Sequence, residues 1–444
     1  MNTTGYLRVE KSQPLYGEVV VSGAKNAVLV IIASLLLTRG KSTLKNVPRI
    51  ADVYGMSELL CSLGATVFFD EAAHTLEIDT SHVSDNKISE VLMKKMRTSV
   101  LVMGPLLACY GSAVLCGMPG GDAIGVRPID YHLNNFSKMG ISITQERSTI
   151  IAIAEKLQAK RIVFEYPSVG ATENILMLAT KIPGITHIVN AALEPEVCDL
   201  IAVLKKMGAI INVQAPATIV VEGVSALMPI EYDIMPDRLE VGSLLIAAAA
   251  TGGEICIPQA RAYHLDIFLQ KLEEMGHKLN CNNGIGIHFK ATALPKAVSF
   301  KTGPYPGFPT DLQAPMMALQ TKAAGKAIVE ETVFENRFLH IPYLQKMGAC
   351  IHVSGNKATV VGVEKLQGQH VIACDIRAAM ALVIAGLMAE GETIITDIHH
   401  WNRGYDRLEQ KLSQLGAPIQ LCNIEKINFP VNLTLVHDSN NKEL

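Results

Sequence analysis

The run Asp199-Leu200-Ile201-Ala202-Val203-Leu204-Lys205-Lys206-Met207-Gly208-Ala209-Ile210-Ile211-Asn212-Val213 decides how the whole chain is read. Its first part sets apolar residues at helical period with the lysines turned outward, which predicts an amphipathic helix. Gly208 follows at once and supplies the left-handed residue that ends such a helix. Ile210–Val213 then reads as a strand. The phrase recurs as Leu63-Gly64-Ala65, Met139-Gly140-Ile141, Met275-Gly276-His277, Met347-Gly348-Ala349 and Leu415-Gly416-Ala417. The glycines step by 76, 68, 68, 72 and 68 residues. Six occurrences at nearly even steps mark an internal repeat.

A second phrase accompanies the first, a short polar start before a dense apolar run. It reads Lys25-Asn26 before Ala27–Leu37, Arg97-Thr98-Ser99 before Val100–Ala108, and Ala171-Thr172-Glu173-Asn174 before Ile175–Ala179. Later it reads Asp237-Arg238-Leu239-Glu240 before Val241–Ala250, Thr310-Asp311 before Leu312–Leu319, and Asp375-Ile376-Arg377 before Ala378–Met388. Thr310 and Asp375 suit the N-cap or first turn. Each run predicts a helix buried on all sides, with its positive end opening into a cleft where anions bind. Each unit then holds an inner helix, an outer helix and strands, which makes the protein α/β. Six units exceed one core and divide three and three. The break is expected near Glu222–Pro236, where Gly223, Pro229 and Pro236 punctuate the chain. The simplest arrangement is two similar domains facing one another across a ligand cleft.

Composition agrees. The 444 residues suffice for two or three domains, and 49% hydrophobic with 18% charged residues excludes a disordered chain. Lys plus Arg is 39 against 42 Asp plus Glu, so no strong field attracts nucleic acid or an anionic membrane. Aromatics are 5%, with Trp401 alone of its kind, which argues against a base-stacking platform. Nine cysteines, an odd number without any C-x-x-C pair, argue against a disulfide framework or zinc site and for reduced thiols. No signal-peptide pattern is read, and the apolar runs fall short of the ~20 residues of a membrane span. The expectation is a soluble, cytoplasmic protein.

Three groups could carry chemistry. Gly117-Met118-Pro119-Gly120-Gly121-Asp122-Ala123-Ile124-Gly125-Val126-Arg127-Pro128 is a loop whose glycines suit a lid, with Asp122 and Arg127 its only charges. Ile124 and Val126 predict that it packs on something. Pro304–Pro309 leads extended into Thr310-Asp311, where Asp311 either complements the helix dipole or serves the chemistry. Arg97, Arg238 and Arg377 sit at inner-helix starts, where a cation opposes the dipole; Arg127 lies in the glycine-rich loop, and Arg337 and Arg403 lie in Glu335-Asn336-Arg337-Phe338 and Asn402-Arg403-Gly404-Tyr405. Planar capture of phosphate or carboxylate is one reason for such arginines. Weaker signals are His399-His400, which lacks a third ligand, and Lys94-Lys95, a solvated helix face. The 17 methionines read as core filler. No H-E-x-x-H, Walker loop or dinucleotide fingerprint occurs.

From Leu7 to about Leu421 the chain resembles the UDP-N-acetylglucosamine 1-carboxyvinyltransferase family of enolpyruvyl transferases. The resemblance rests on Ser22-Gly23-Ala24-Lys25-Asn26-Ala27, the Gly117–Asp130 loop, Ser168-Val169-Gly170-Ala171-Thr172, Phe308-Pro309-Thr310-Asp311, Glu335-Asn336-Arg337-Phe338 and Arg403-Gly404-Tyr405. It implies an inside-out α/β barrel fold of two domains, each of three α/β units around buried parallel helices. Residues 1–22 are expected to join 236–444, leaving 23–235 as the domain that bears the loop. The tail after Cys422 looks peripheral.

The implied reaction transfers the enolpyruvyl group of phosphoenolpyruvate to the 3-hydroxyl of UDP-N-acetylglucosamine and releases phosphate. No metal or other cofactor is implied. This is the committed step of peptidoglycan synthesis, and so serves cell-wall growth, cell shape and division. By position, Lys25, Asn26, Arg127 and Arg403 should bind phosphoenolpyruvate, with Arg337 and Arg377 near its carboxylate. Asn26, Arg97, Arg127, Pro128, Ile129, Asp130, Tyr131, Ser168, Gly170, Asp311 and Val333 should contact the sugar nucleotide. Asp311 should take the hydroxyl proton. Partners are these two small molecules, with no nucleic acid and no membrane.

One position departs. Most members of the family carry Cys where this chain has Asp122, the residue assigned to protonate the methylene carbon. An ordinary Asp, with a pKa of about 3.9, is ionised at pH 7. The expectation is therefore that burial raises Asp122 when the lid closes, or that substrate binding brings its proton. Fosfomycin alkylates the family's Cys, so resistance to that drug is expected here. The nearest rival is 3-phosphoshikimate carboxyvinyltransferase, whose Gly-Asn-Ala-Gly-Thr run is missing. A non-catalytic paralogue would have lost the charged cleft residues, which are all present.

Overall fold

The computed structural model describes residues 5–423. The tail beyond Asn423 lies outside them. Six four-stranded sheets share one strand order. In one of them Arg161–Val163 runs parallel to Ile185–Val189, which is antiparallel to Thr218–Glu222, with Ile210–Gln214 antiparallel at the far edge. The other five repeat that pattern. All six repeat glycines, Gly64, Gly140, Gly208, Gly276, Gly348 and Gly416, have φ between 90° and 108°. That left-handed backbone turns each outer helix into its strand, where a side chain would be strained.

The outer helices are one-sided. In Pro195–Lys206, Leu200, Val203 and Leu204 are buried while Lys205 and Lys206 close the C-terminal turn at the surface. The inner helices are buried around their whole circumference: Lys25–Ser34, Met103–Tyr110 and Val169–Ala179 in one set, Arg238–Thr251, Gln313–Gln320 and Ile376–Met388 in the other. Asp375 caps the last of these by accepting from the Arg377 and Ala378 amides. Thr310 caps nothing; its hydroxyl donates to Glu331 at 2.9 Å and a short 3₁₀ turn, Thr310–Leu312, precedes the helix.

Two hydrophobic cores result. One runs from Ala24 to Met235; the other joins Leu7–Val21 to Leu239–Ile419. The chain's first strand, Gly5–Glu10, inserts between Glu392–Thr396 and Ile419–Asn423, with Leu7 opposite both Ile395 and Leu421. The stretch Glu222–Pro236 is not a free linker. Its Glu231–Asp233 strand closes the sheet of Lys41–Lys45, and Ile230, Ile234 and Met235 are buried in the first core. The crossing falls at Gly23 and Pro236, which form an isolated bridge. No helix among the described residues is long and apolar enough to cross a membrane. All nine cysteines are free thiols.

Candidate active site

The N-terminal residues of all six inner helices or their leading 3₁₀ turns line one cleft of about 430 Å³ between the two cores: Lys25 and Asn26, Arg97 and Thr98, Val169 and Gly170, Arg238, Asp311, Ile376 and Arg377. Unpaired amides and aligned helix dipoles make such a place positive even before the side chains are counted. The sequence puts Lys and Arg there as well, against the dipoles, and the structure shows how they are held.

Lys25, Arg238 and Arg377 are each gripped by a carboxylate. Asp52, in the first turn of Ala51–Ser62, accepts from Lys25 Nζ at 2.9 Å, from Arg403 Nε at 2.9 Å and from Arg403 Nη2 at 3.3 Å. Burial works to raise the Asp52 carboxyl, but Lys25 and Arg403 hold it below its ordinary range. Burial lowers Lys25, reinforced by Arg403 and opposed by Asp52. Asp311 accepts from Arg337 Nη2 at 2.8 Å and Arg377 Nη2 at 2.9 Å. Burial would raise it too, yet the two guanidiniums keep it well below the usual carboxylate range. Arg377 Nη1 also donates to the Tyr405 hydroxyl at 3.1 Å, which in turn lies 3.2 Å from Ser243 Oγ.

The glycine-rich loop spans the cleft. Gly120 N donates to Met93 O at 2.9 Å, and a Cβ at Gly120 would lie 1.9 Å from Lys94 O, so the loop lies flush on the end of the helix Glu90–Lys95. On the far side the Asn336 amide donates to Ile124 O at 3.1 Å. Ile124 is buried. Val126 is 84% exposed and packs on nothing, contrary to the expectation for it. Arg127 adopts φ 47°, a left-handed conformation that costs an Arg about 1–2 kcal/mol. It sets the guanidinium 5.6 Å from the Phe334 ring while Arg97 donates to the carbonyls of Arg127 and Pro128. Burial and the nearby Arg127 push Arg97 down to about 10.

At Asp122 burial and charge oppose one another. Burial does favour its protonated form, but His400, Arg403 and Lys25 outweigh that and hold the carboxyl far below its ordinary range. Arg403 Nη1 donates to Asp122 Oδ1 at 2.7 Å, and His400 Nδ1 stands 3.1 Å from the same oxygen. These partners favour Asp122 as a carboxylate.

Of the sequence-predicted residues, Lys25, Asn26, Arg97, Asp122, Arg127, Pro128, Ser168, Gly170, Asp311, Val333, Arg337, Arg377 and Arg403 line the cleft together. Ile129, Asp130 and Tyr131 do not: Ile129 is buried beneath, Asp130 points to solvent, and Tyr131 packs edge-on against Phe164. Arg238 is committed to a buried ion pair with Glu196, 2.9 Å away, so it is not free to hold an anion. Sequence reasoning missed Asp52, which reads as an ordinary first-turn carboxylate, and His400, set aside for want of a third ligand. Asp397 does stand beside that histidine pair, bonded to His399.

Comparison places this geometry. The chain matches the EPSP synthase (3-phosphoshikimate 1-carboxyvinyltransferase) family over residues 9–412. It is 48% identical to UDP-N-acetylglucosamine 1-carboxyvinyltransferase 1 of Caldanaerobacter subterraneus subsp. tengcongensis, over 93% of this chain and 98% of that one. It is 46% identical to UDP-N-acetylglucosamine 1-carboxyvinyltransferase of Thermodesulfovibrio yellowstonii, over 92% and 97%. The enolpyruvyl transferase NikO from Streptomyces tendae superposes with a TM-score of 0.86 at 23% identity, over 95% of this chain and all of that one. EPSP synthase from Acinetobacter baumannii superposes at 0.73 with 16% identity and similar coverage.

Proposed function

The chain belongs to the enolpyruvyl transferase family, among the UDP-N-acetylglucosamine 1-carboxyvinyltransferases, and we propose that it joins phosphoenolpyruvate to the 3-hydroxyl of UDP-N-acetylglucosamine and releases phosphate. The observation that carries this reading is that Asp311 and Asp122, the two carboxylates the reaction needs, face one cleft, each already paired with arginines.

Phosphoenolpyruvate brings a phosphate and a carboxylate. Its phosphate competes for Lys25, Arg127 and Arg403; its carboxylate competes for Arg337 and Arg377. Both protein carboxylates then lose part of the cationic support that keeps them ionised, and their proton affinity rises. Asp311 becomes a better base for the sugar 3-hydroxyl just as the acceptor arrives. The sugar oxygen adds to the carbon bearing the phosphate, the methylene carbon takes a proton from Asp122, and a tetrahedral adduct forms. Loss of a proton from the new methyl group and departure of phosphate restore the double bond as an enol ether. The helix N-termini and arginines stabilise the phosphate that leaves. The sugar nucleotide is assigned to Asn26, Arg97, Pro128, Ser168, Gly170 and Val333, with its diphosphate at the N-terminus of Val169–Ala179.

This reaction supplies a peptidoglycan precursor and belongs in the cytoplasm, where both substrates are made. Asp122 in the position of the family's Cys implies resistance to fosfomycin, because a carboxylate is a poor nucleophile towards the epoxide. Phosphate release from phosphoenolpyruvate tests the reading: it should require UDP-N-acetylglucosamine, and shikimate 3-phosphate should not replace it. Release with shikimate 3-phosphate alone would refute the proposal.

A further inference from the structure

We propose that His400 is the proton reservoir for Asp122: its ring supplies the proton that Asp122 passes to the methylene carbon, an assignment that rests on the reaction proposed above. Asp122 faces Arg403, Lys25 and Arg127, which favour its carboxylate form, so the proton it passes on must come from a neighbour. Its remaining neighbour is His400, whose Nδ1 lies 3.1 Å from Oδ1. Both side chains are 12% exposed, so the pair is largely shielded from bulk water. An imidazole nitrogen can carry a proton and pass it to a carboxylate one hydrogen bond away.

The ring is held in place. His400 belongs to the short helix His399–Gly404, which Trp401 anchors from beneath: Trp401 is fully buried, and its indole donates to Glu409 at 2.9 Å. His399 packs against the His400 ring at 3.8 Å between centroids, and Asp397 bonds His399 in turn. His400 and Arg403 approach Asp122 from the second core, while Asp122, Lys25 and Arg127 come from the first.

The step balances. When the substrate phosphate draws Arg403 and Lys25 away from Asp122, the proton on His400 Nδ1 moves to Asp122 Oδ1, leaving a neutral imidazole. The Asp122 O–H bond then breaks as the proton bonds to the methylene carbon, using the electron pair of the double bond, and Asp122 is again a carboxylate. On elimination the proton retraces this path from the methyl group to Asp122 and His400 as phosphate departs. No external acid is needed.

Four proteins test this: the unaltered chain, His400→Gln, Asp122→Cys and the double variant. A thiol, with an ordinary pKa of about 8.5, carries its own proton at pH 7 and needs no reservoir. His400→Gln should therefore lower kcat about 100-fold beside Asp122, a typical loss for general-acid function, but under tenfold in the Asp122→Cys background. The alkaline limb of the kcat profile should also vanish or move in His400→Gln. Equal losses in both backgrounds, with an unmoved limb, would overturn the proposal. A ¹⁵N measurement on the His400 ring avoids dependence on how the variant folds. In Asp311→Asn saturated with both substrates the ring should change from cationic to neutral, and a ring that keeps its charge overturns the assignment. Absence of turnover by the unaltered protein would instead defeat the reaction reading, and this proposal with it.

Discussion

Asp52 holds Arg403 through two hydrogen bonds, Oδ1 to Nε at 2.9 Å and Oδ2 to Nη2 at 3.3 Å, and so ties the second core to the first across the cleft. The same carboxylate accepts from Lys25. Two cations expected to meet the phosphate of phosphoenolpyruvate are thus spaced by one buried acid that touches no substrate in this reading.

Asp52→Asn keeps the size of the side chain and removes the charge. Hydrogen bonds to charged groups are worth about 1.5–3 kcal/mol, so kcat/KM for phosphoenolpyruvate should fall about 10- to 100-fold, mainly through KM. The KM for UDP-N-acetylglucosamine should change far less. Steady-state kinetics with each substrate varied in turn decides it; equal effects on both would remove Asp52 from the phosphate site.

Asp311→Asn should leave sugar-nucleotide binding in place and lower kcat by about 10²–10⁴, the usual effect of losing a general base. The amide also cannot balance Arg337 and Arg377, so phosphoenolpyruvate should bind at least as tightly as before. Calorimetry gives the binding and phosphate release gives the rate. More than about a third of the unaltered kcat would end the assignment of Asp311 as the base.

Stability should depend on pH through His132. Burial, aided by Arg97, holds its pKa down to about 3 against an ordinary value near 6.5. The unfolded chain therefore binds a proton that the folded chain refuses, so this group's contribution is complete above about pH 6.5 and is lost as pH falls towards 3. Glu240, pushed up to about 7 by burial, acts in the opposite direction, losing its contribution as pH rises towards 7. Comparing His132→Gln with the unaltered protein cancels that term. Between pH 6.5 and 5 the stability difference between them should shrink by up to about 1.4 kcal/mol per pH unit. Parallel stability curves from chemical denaturation would contradict it.

The repeat was legible because its cause is local. A helix that ends and turns at once into a strand needs a left-handed residue, and each repeat glycine supplies one with φ near 100°. The inner helices were legible because nothing but burial explains ten apolar residues among the eleven of Ala27–Leu37. The site was legible only in part. Motifs located Lys25, Asp122, Asp311 and Arg403, but pairing across the cleft is a property of three dimensions. Asp52 lies 351 residues from Arg403 and His400 lies 278 from Asp122. The surroundings of Asp122 were hidden for the same reason: its burial could be foreseen, but His400, 3.1 Å from its oxygen, could not. Arg238 shares a helix-start position with Arg97 and Arg377, and only the fold shows its pairing with Glu196, 42 residues away.

Fosfomycin separates the two chemistries possible at position 122. The unaltered protein should keep its activity and gain no mass after incubation with the drug and UDP-N-acetylglucosamine. Asp122→Cys should turn over measurably and then be inactivated with time, because a thiolate opens the epoxide. Cys116 precedes the loop, at the end of the strand Ser112–Cys116, and should not substitute. Intact-protein mass spectrometry shows the adduct. A stoichiometric adduct on the unaltered protein would refute the claim, as would an active Asp122→Cys variant that never acquires one.

The most direct test of the account is the product made in deuterated water. Addition followed by elimination puts a solvent-derived hydrogen on the methylene carbon before one of three is removed. Proton NMR of the reaction with phosphoenolpyruvate and UDP-N-acetylglucosamine should show an enol ether on the sugar 3-oxygen, with substantial deuterium in its methylene group. An enol ether free of deuterium, or phosphate release with no enolpyruvyl group on the sugar, would contradict it.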